Sequence, residues 1–134
     1  MEHEHYIKKF NFIVYTWNKN FDDMVLLADT LCKENDINSL IYLYNNYKDK
    51  FNDLSFYIIS KSIKHNRFDI FKYFIECCDN LTDDDYECLF YQCMYFEDYE
   101  IAKYFIKHYS DVLNECIEFF KSHNIEKDII NSVC

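Results

Sequence analysis

Apolar residues return along this chain at a short spacing that marks helices and at a long spacing that marks a repeated part. Phe56, Ile59 and Ile63 fall at i, i+3 and i+7, and Phe68, Phe71, Phe74 and Ile75 at i, i+3, i+6 and i+7. Each set lines one face of a helix, and the alternation expected of a strand fits neither. The long spacing is plainest where FDIFKYFIE at 68–76 comes back as YEIAKYFIK at 99–107, an offset of 31. The same offset sets Ile37 against Phe68 and Tyr99, Leu40 against Phe71 and Ala102, and Leu43 against Phe74 and Phe105. Tyr42, Tyr73 and Tyr104 form a further column, assigned to packing between copies. An apolar stretch precedes each copy in register, with Ala28, Ile59 and Phe90 in one column and Cys32, Ile63 and Met94 in another. Two helices per unit follow, over units 23–53, 54–84 and 85–115.

Residues 116–134 read as a partial C-terminal unit, because HNIEKDII at 123–130 echoes HNRFDIFK at 65–72 once four residues are deleted. Residues 1–22 stand outside the columns. Tyr6, Phe10, Ile13, Val14 and Trp17 share a helical face there, which suits a terminal cap, although FNFIVYTW also has the composition of a strand.

Capping chemistry predicts the boundaries. Thr82 ahead of Asp83, Asp84 and Asp85 places an acceptor at a helix start and carboxylates in its first turn, where free amides favour them. Asn35 and Asn66 mark the break inside a unit, in the place that Gly holds at most helix ends. Lys107 and His108 are expected near a helix end.

Composition narrows the class. The chain of 134 residues has neither Gly nor Pro, which disfavours hairpin-rich folds and leaves helices joined by Asn and Asp turns. Its length suits one domain. A net charge of -10 opposes the phosphate backbone of nucleic acids and anionic membranes. With no long apolar run and no signal-peptide pattern, the expectation is a cytoplasmic protein. The seven cysteines are odd in number and irregular in spacing, which suits small buried residues in a reducing compartment.

A unit of two helices cannot bury its own apolar face, so stacked neighbours must. The expected fold is all-α, a short solenoid of stacked antiparallel helix pairs with period 31 and little or no β-hairpin finger. Residues 66–75 and 97–106 resemble the second helix of the ankyrin repeat. The T-P-L-H tetrad of that family is replaced by Tyr57-Ile58-Ile59-Ser60 and by Cys88-Leu89-Phe90-Tyr91, its glycine is missing, and the period is 31 rather than about 33. Divergent, aromatic-rich repeats of this kind resemble those of large cytoplasmic DNA viruses. The resemblance implies a binding module, a viral modulator acting in the host cytoplasm, and a concave surface lined by the first helices. Ser60, Lys61, Lys64, Tyr91, Gln92 and Tyr95 are the partner-binding candidates on that surface.

Chemistry competes weakly with this reading. Cys88 and Cys93 point about 140° apart on a helix, and adjacent Cys77 and Cys78 diverge by about 100°, so neither pair forms half of a tetrahedral metal site. Cys116 and His123 could share a helix face, but no oxyanion loop accompanies them. Without Gly, no phosphate-cradling loop exists. No catalytic residue, metal or cofactor is expected. A protein partner is expected, with the chain a monomer or weak homodimer; self-association as a structural protein is the alternative function, and a cysteine- or metal-dependent enzyme ranks below it.

Overall fold

The computed structural model describes residues 21–49 and 53–122, and every regular element in them is an α-helix. The 1–20 segment and the 123–130 echo lie outside the described residues. The helices are α1 (Phe21–Lys33), α2 (Ile37–Tyr47), α3 (Leu54–Lys64), α4 (Phe68–Cys77), α5 (Asp83–Tyr95) and α6 (Tyr99–Ser122). None is long and apolar enough to cross a membrane.

One turn is built three times. Asn35, Asn66 and Glu97 each take a left-handed backbone with φ of 58°. In the first turn the Asn35 amide donates to Cys32 O at 3.0 Å and the Asp36 amide to Leu31 O at 2.9 Å. Asn66 and Arg67 repeat the pair on Ile63 O and Ser62 O, and Glu97 and Asp98 repeat it on Met94 O and Cys93 O. This is the double bond of a Schellman ending, which satisfies carbonyls the helix leaves open. The next residue, Asp36, Arg67 or Asp98, already stands at the N-cap of the following helix. Helix therefore follows helix after three residues, and each pair folds back as a hairpin.

The longer connection from α4 to α5 ends in a full capping box. Thr82 Oγ1 accepts from the Asp85 amide at 3.1 Å, and Asp85 Oδ2 accepts from the Thr82 amide at 3.0 Å. Lys107 and His108 stand at the helix end expected of them, because α6 is two helical stretches that meet at Tyr109, whose φ and ψ of -133° and 28° are not helical, and the second stretch runs on to Ser122. Beyond the kink, Leu113, Cys116, Ile117 and Phe120 are buried, and the Phe120 ring meets Phe90 at 5.7 Å.

Packing arranges the helices in two layers. First helices stack, α1 on α3 and α3 on α5, and each also packs on the second helix of its own pair. Within the second layer α4 packs on α6, and α2 meets α4 where Tyr44 stands edge-on to Phe74 at 5.6 Å. The core runs continuously between the layers through Leu40, Ile59, Ile63, Phe71, Phe74, Phe90 and Phe105. Each such side chain contributes roughly 1.5–3 kcal/mol by leaving water.

Candidate functional site

Successive first helices touch through side chains that recur in sequence. On α1, Asp29 Oδ1 lies 3.0 Å from Lys64 Nζ and 3.9 Å from Lys61 Nζ, both on α3, and 3.0 Å from Nε2 of His65, which caps α3. Burial works to raise the Asp29 pKa, but hydrogen bonds from His65 and Lys64 with their charges outweigh it, and the carboxyl is held below its usual range. On α3, Ser60 Oγ donates to Gln92 Oε1 of α5 at 2.6 Å. Gln92 in turn donates to Cys88 Sγ at 3.5 Å. On α5, Tyr91 faces the last part of α6, where its hydroxyl meets Cys116 and its ring lies 6.3 Å from Phe119 and 5.3 Å from Phe120.

Four of the six candidates make contacts between neighbouring helices. Lys61 and Lys64 hold Asp29, and Ser60 and Gln92 hold each other. Tyr91 and Tyr95 remain on the surface, 42% and 80% exposed. They sit at the rim of a shallow groove of about 380 Å³ with Met94 and Phe120. Phe119, 42% exposed, extends the same aromatic surface, and Phe96 is also partly open. A hydrogen bond with Cys116 raises the Tyr91 hydroxyl pKa, with burial and the nearby Glu87 carboxylate adding to it. Sequence reasoning placed Phe119 in the partial unit at 116–134 and did not name it among the partner-binding residues.

Four of the six described cysteines take buried positions. Cys32, Cys78, Cys93 and Cys116 are buried, and Cys77 and Cys88 are exposed. Burial pushes the Cys32 thiol up to about 12, with the Asp29 charge adding to it. It raises Cys77, Cys93 and Cys116 as well, away from the range of reactive thiolates. Among the described residues no group of three or more His, Cys, Asp or Glu converges as a metal site would require. His123, considered beside Cys116, lies outside them.

The tyrosine column divides. Tyr104 packs edge-on to Phe71 at 5.2 Å and Phe68 at 6.0 Å, and its hydroxyl donates to Glu76 Oε1 at 3.1 Å. Burial and that bond push its pKa up to about 12. Tyr42 packs against the core, whereas Tyr73 is 40% exposed. No family model, no curated protein and no solved structure matches the chain.

Proposed function

We propose that the chain is a non-enzymatic helical-repeat module that binds a protein partner through the first-helix face at its α5 end. Support for the repeat comes from the recurrence of one turn at 31-residue steps and of one contact between first helices, Asp29 with Lys61 and Ser60 with Gln92. Tyr91 with Phe119 continues that contact four residues early. Residues 78–82 join α4 to α5, whereas only Tyr109 interrupts the helical path of α6. A fourth unit whose connection has lost four residues accounts for the early contact and for the kink together. Its buried positions Leu113, Cys116, Ile117 and Phe120 then match Ser55, Ile58, Ile59 and Ser62, all buried in α3. This arrangement is the stacking that the ankyrin-like reading expects.

The observation that carries the binding function is the open aromatic surface of Tyr91, Tyr95 and Phe119 around the Met94–Phe120 groove. Aromatic side chains with a polar tip are the commonest anchors of protein interfaces, since they bury much area at little entropic cost. Glu87 lies close enough to act on the Tyr91 hydroxyl, and Glu87 and Glu115 on the Cys116 thiol, so a partner with basic groups about an apolar anchor suits the rim. Affinity capture from host lysate compares wild type with Tyr91→Ala/Tyr95→Ala. A protein retained by the first and lost from the still-folded second is the expected result; equal recovery moves the interface elsewhere. The same surface could pair two copies, and a mass that rises with concentration in sedimentation and falls back in the variant would favour that second reading.

A further inference from the structure

A second groove lies on the opposite layer, between α4 and the first part of α6. It has a volume of about 800 Å³, within the size range of sites that hold small ligands or a peptide side chain with its neighbours. Phe68 and Tyr104 contribute its aromatic surface. Lys72 and Glu76 line it from α4, and Glu100, Lys103, Lys107 and His108 from α6.

The aromatic surface is held in place before any ligand arrives. Tyr104 is braced by Phe68 and Phe71, its hydroxyl is bonded to Glu76, and the His108 ring lies 4.3 Å from its own. A preset site avoids part of the ordering cost of binding.

Charge sets the groove apart from the rest of the chain. Among the described residues several other cations are occupied, since Lys61 and Lys64 pair with Asp29, Arg67 donates to the Cys32 and Lys33 carbonyls, and Lys48 sits over the Tyr44 ring. Among the described residues, Lys72, Lys103 and Lys107 enter no ion pair within 4.0 Å. The groove also holds the carboxylates of Glu76, which accepts from Tyr104 and keeps its charge, and Glu100, so three lysines stand against two carboxylates. Three uncommitted ammonium groups therefore gather about an aromatic floor in a protein of net charge -10. Charges more than about 8 Å away are largely screened at physiological salt, so a ligand at the groove responds to these lysines before it responds to the acidic total.

We propose that the α4–α6 groove binds an acidic peptide segment of a partner protein, with an apolar side chain against Phe68 and Tyr104 and flanking carboxylates on Lys72, Lys103 and Lys107. The site is separate from the Tyr91–Tyr95 surface and opposite to it in charge preference. A nucleic acid would need a larger positive field than three lysines supply against this net charge.

The test uses the full chain labelled with ¹⁵N and a probe peptide, acetyl-Glu-Asp-Phe-Asp-Glu-amide. Saturable amide shifts confined to 68–76 and 100–108 are expected. Raising the salt should weaken binding, and Lys103→Glu and Lys107→Glu, both at exposed positions, should each weaken it by about two- to fivefold with the fold intact. The proposal is overturned if no saturable shift appears, if shifts map elsewhere, or if acetyl-Gln-Asn-Phe-Asn-Gln-amide binds equally. Equal shifts from inorganic phosphate alone would also overturn it, by making the groove a small-anion site. Shifts that grow with protein concentration before peptide is added would overturn it in favour of a second copy as occupant.

Discussion

The joint between α1 and α3 and the joint between α3 and α5 use the same backbone turn and different polar chemistry. At the first, Asp29 gathers Lys61, Lys64 and His65, and Arg67 reaches back from its N-cap position to donate to Cys32 O at 3.0 Å and Lys33 O at 2.5 Å. The second replaces the ion cluster with one neutral bond, Ser60 to Gln92, and puts Asp98 where Arg67 stood. A carboxylate cannot donate to a helix C-terminus. Asp98 Oδ1 instead accepts from the Ile101 amide at 3.2 Å, and Oδ2 is buried with no partner. At Asp36 the corresponding oxygen accepts from Ser39 Oγ at 2.6 Å, but position 101 is Ile. Apolar columns and turn geometry are held across the two joints, while polar pairs between first helices vary from charged to neutral.

If the apolar columns carry the fold, removing one member should cost the same at either joint. Phe74 and Phe105 share a column and are both fully buried. Phe74→Ala and Phe105→Ala should each destabilise by about 3–5 kcal/mol in urea titrations followed by circular dichroism. A large difference between the two would mean that the pairs are not equivalent parts.

Arg67→Ala comes next. It removes charge-assisted bonds to two carbonyls at the α1 terminus, of which Cys32 O keeps the Asn35 amide, and a loss of about 1.5–3 kcal/mol is expected by the same titration. Asp98→Ala loses the N-cap bond from the Ile101 amide but also removes a buried oxygen that has no partner, and the two offset, so it should fall well below Arg67→Ala. Equal losses would break the contrast between the joints.

Much of this was legible in the sequence, and the exceptions have physical causes. Ala28, Ile59 and Phe90, with Leu43, Phe74 and Phe105, were placed as core columns, and all are fully buried. Asn35 and Asn66 were read as left-handed helix ends, because Asn tolerates that region better than other residues with a Cβ. Lys61 and Lys64 were assigned to one face, yet their partner Asp29 lies in another unit, and no local pattern announces a contact across 32 or 35 residues. The α4–α6 groove was missed although the offset aligns Lys72 with Lys103, since a charge on a helix surface normally means only solvent. The helix end at Lys107 and His108 was legible, but not that a second helical stretch follows directly after Tyr109.

Two aspartates sharpen the comparison through pH. Burial raises the Asp98 pKa, with Glu100 adding to it and the Ile101 amide opposing it. A raised folded value means that its contribution is full below the unfolded value of about 3.9 and is lost as pH rises through the folded pKa. Asp98→Asn should therefore stabilise by about 1 kcal/mol at pH 7, a gain that fades toward pH 4. Asp29 is shifted the other way, so its contribution is present above about 3.9 and is lost as pH falls through the lowered folded pKa. Asp29→Asn should cost about 1 kcal/mol at pH 7, with the cost shrinking in acid. Parallel stability-pH curves for the two variants would contradict the assignment of one joint as paired and the other as strained.

The smallest effect isolates the turn. Glu97 has the same φ of 58° as Asn35 and Asn66, and its amide makes the longest bond of the three, 3.4 Å to Met94 O against 3.0 and 3.2 Å. A left-handed backbone costs most residues roughly 1–2 kcal/mol, and Asn less because its short side chain bonds locally. Glu97→Asn should then stabilise by about 0.5–1 kcal/mol, and Asn66→Glu should destabilise by a similar amount. Both side chains are exposed, so packing contributes little to either change. A gain at 97 matched by a loss at 66 would mean that Glu stands in the third turn at a cost covered by the columns around it. No gain at 97 would mean that the Glu side chain supplies something there that Asn cannot, and the turns would then differ in kind as the joints do.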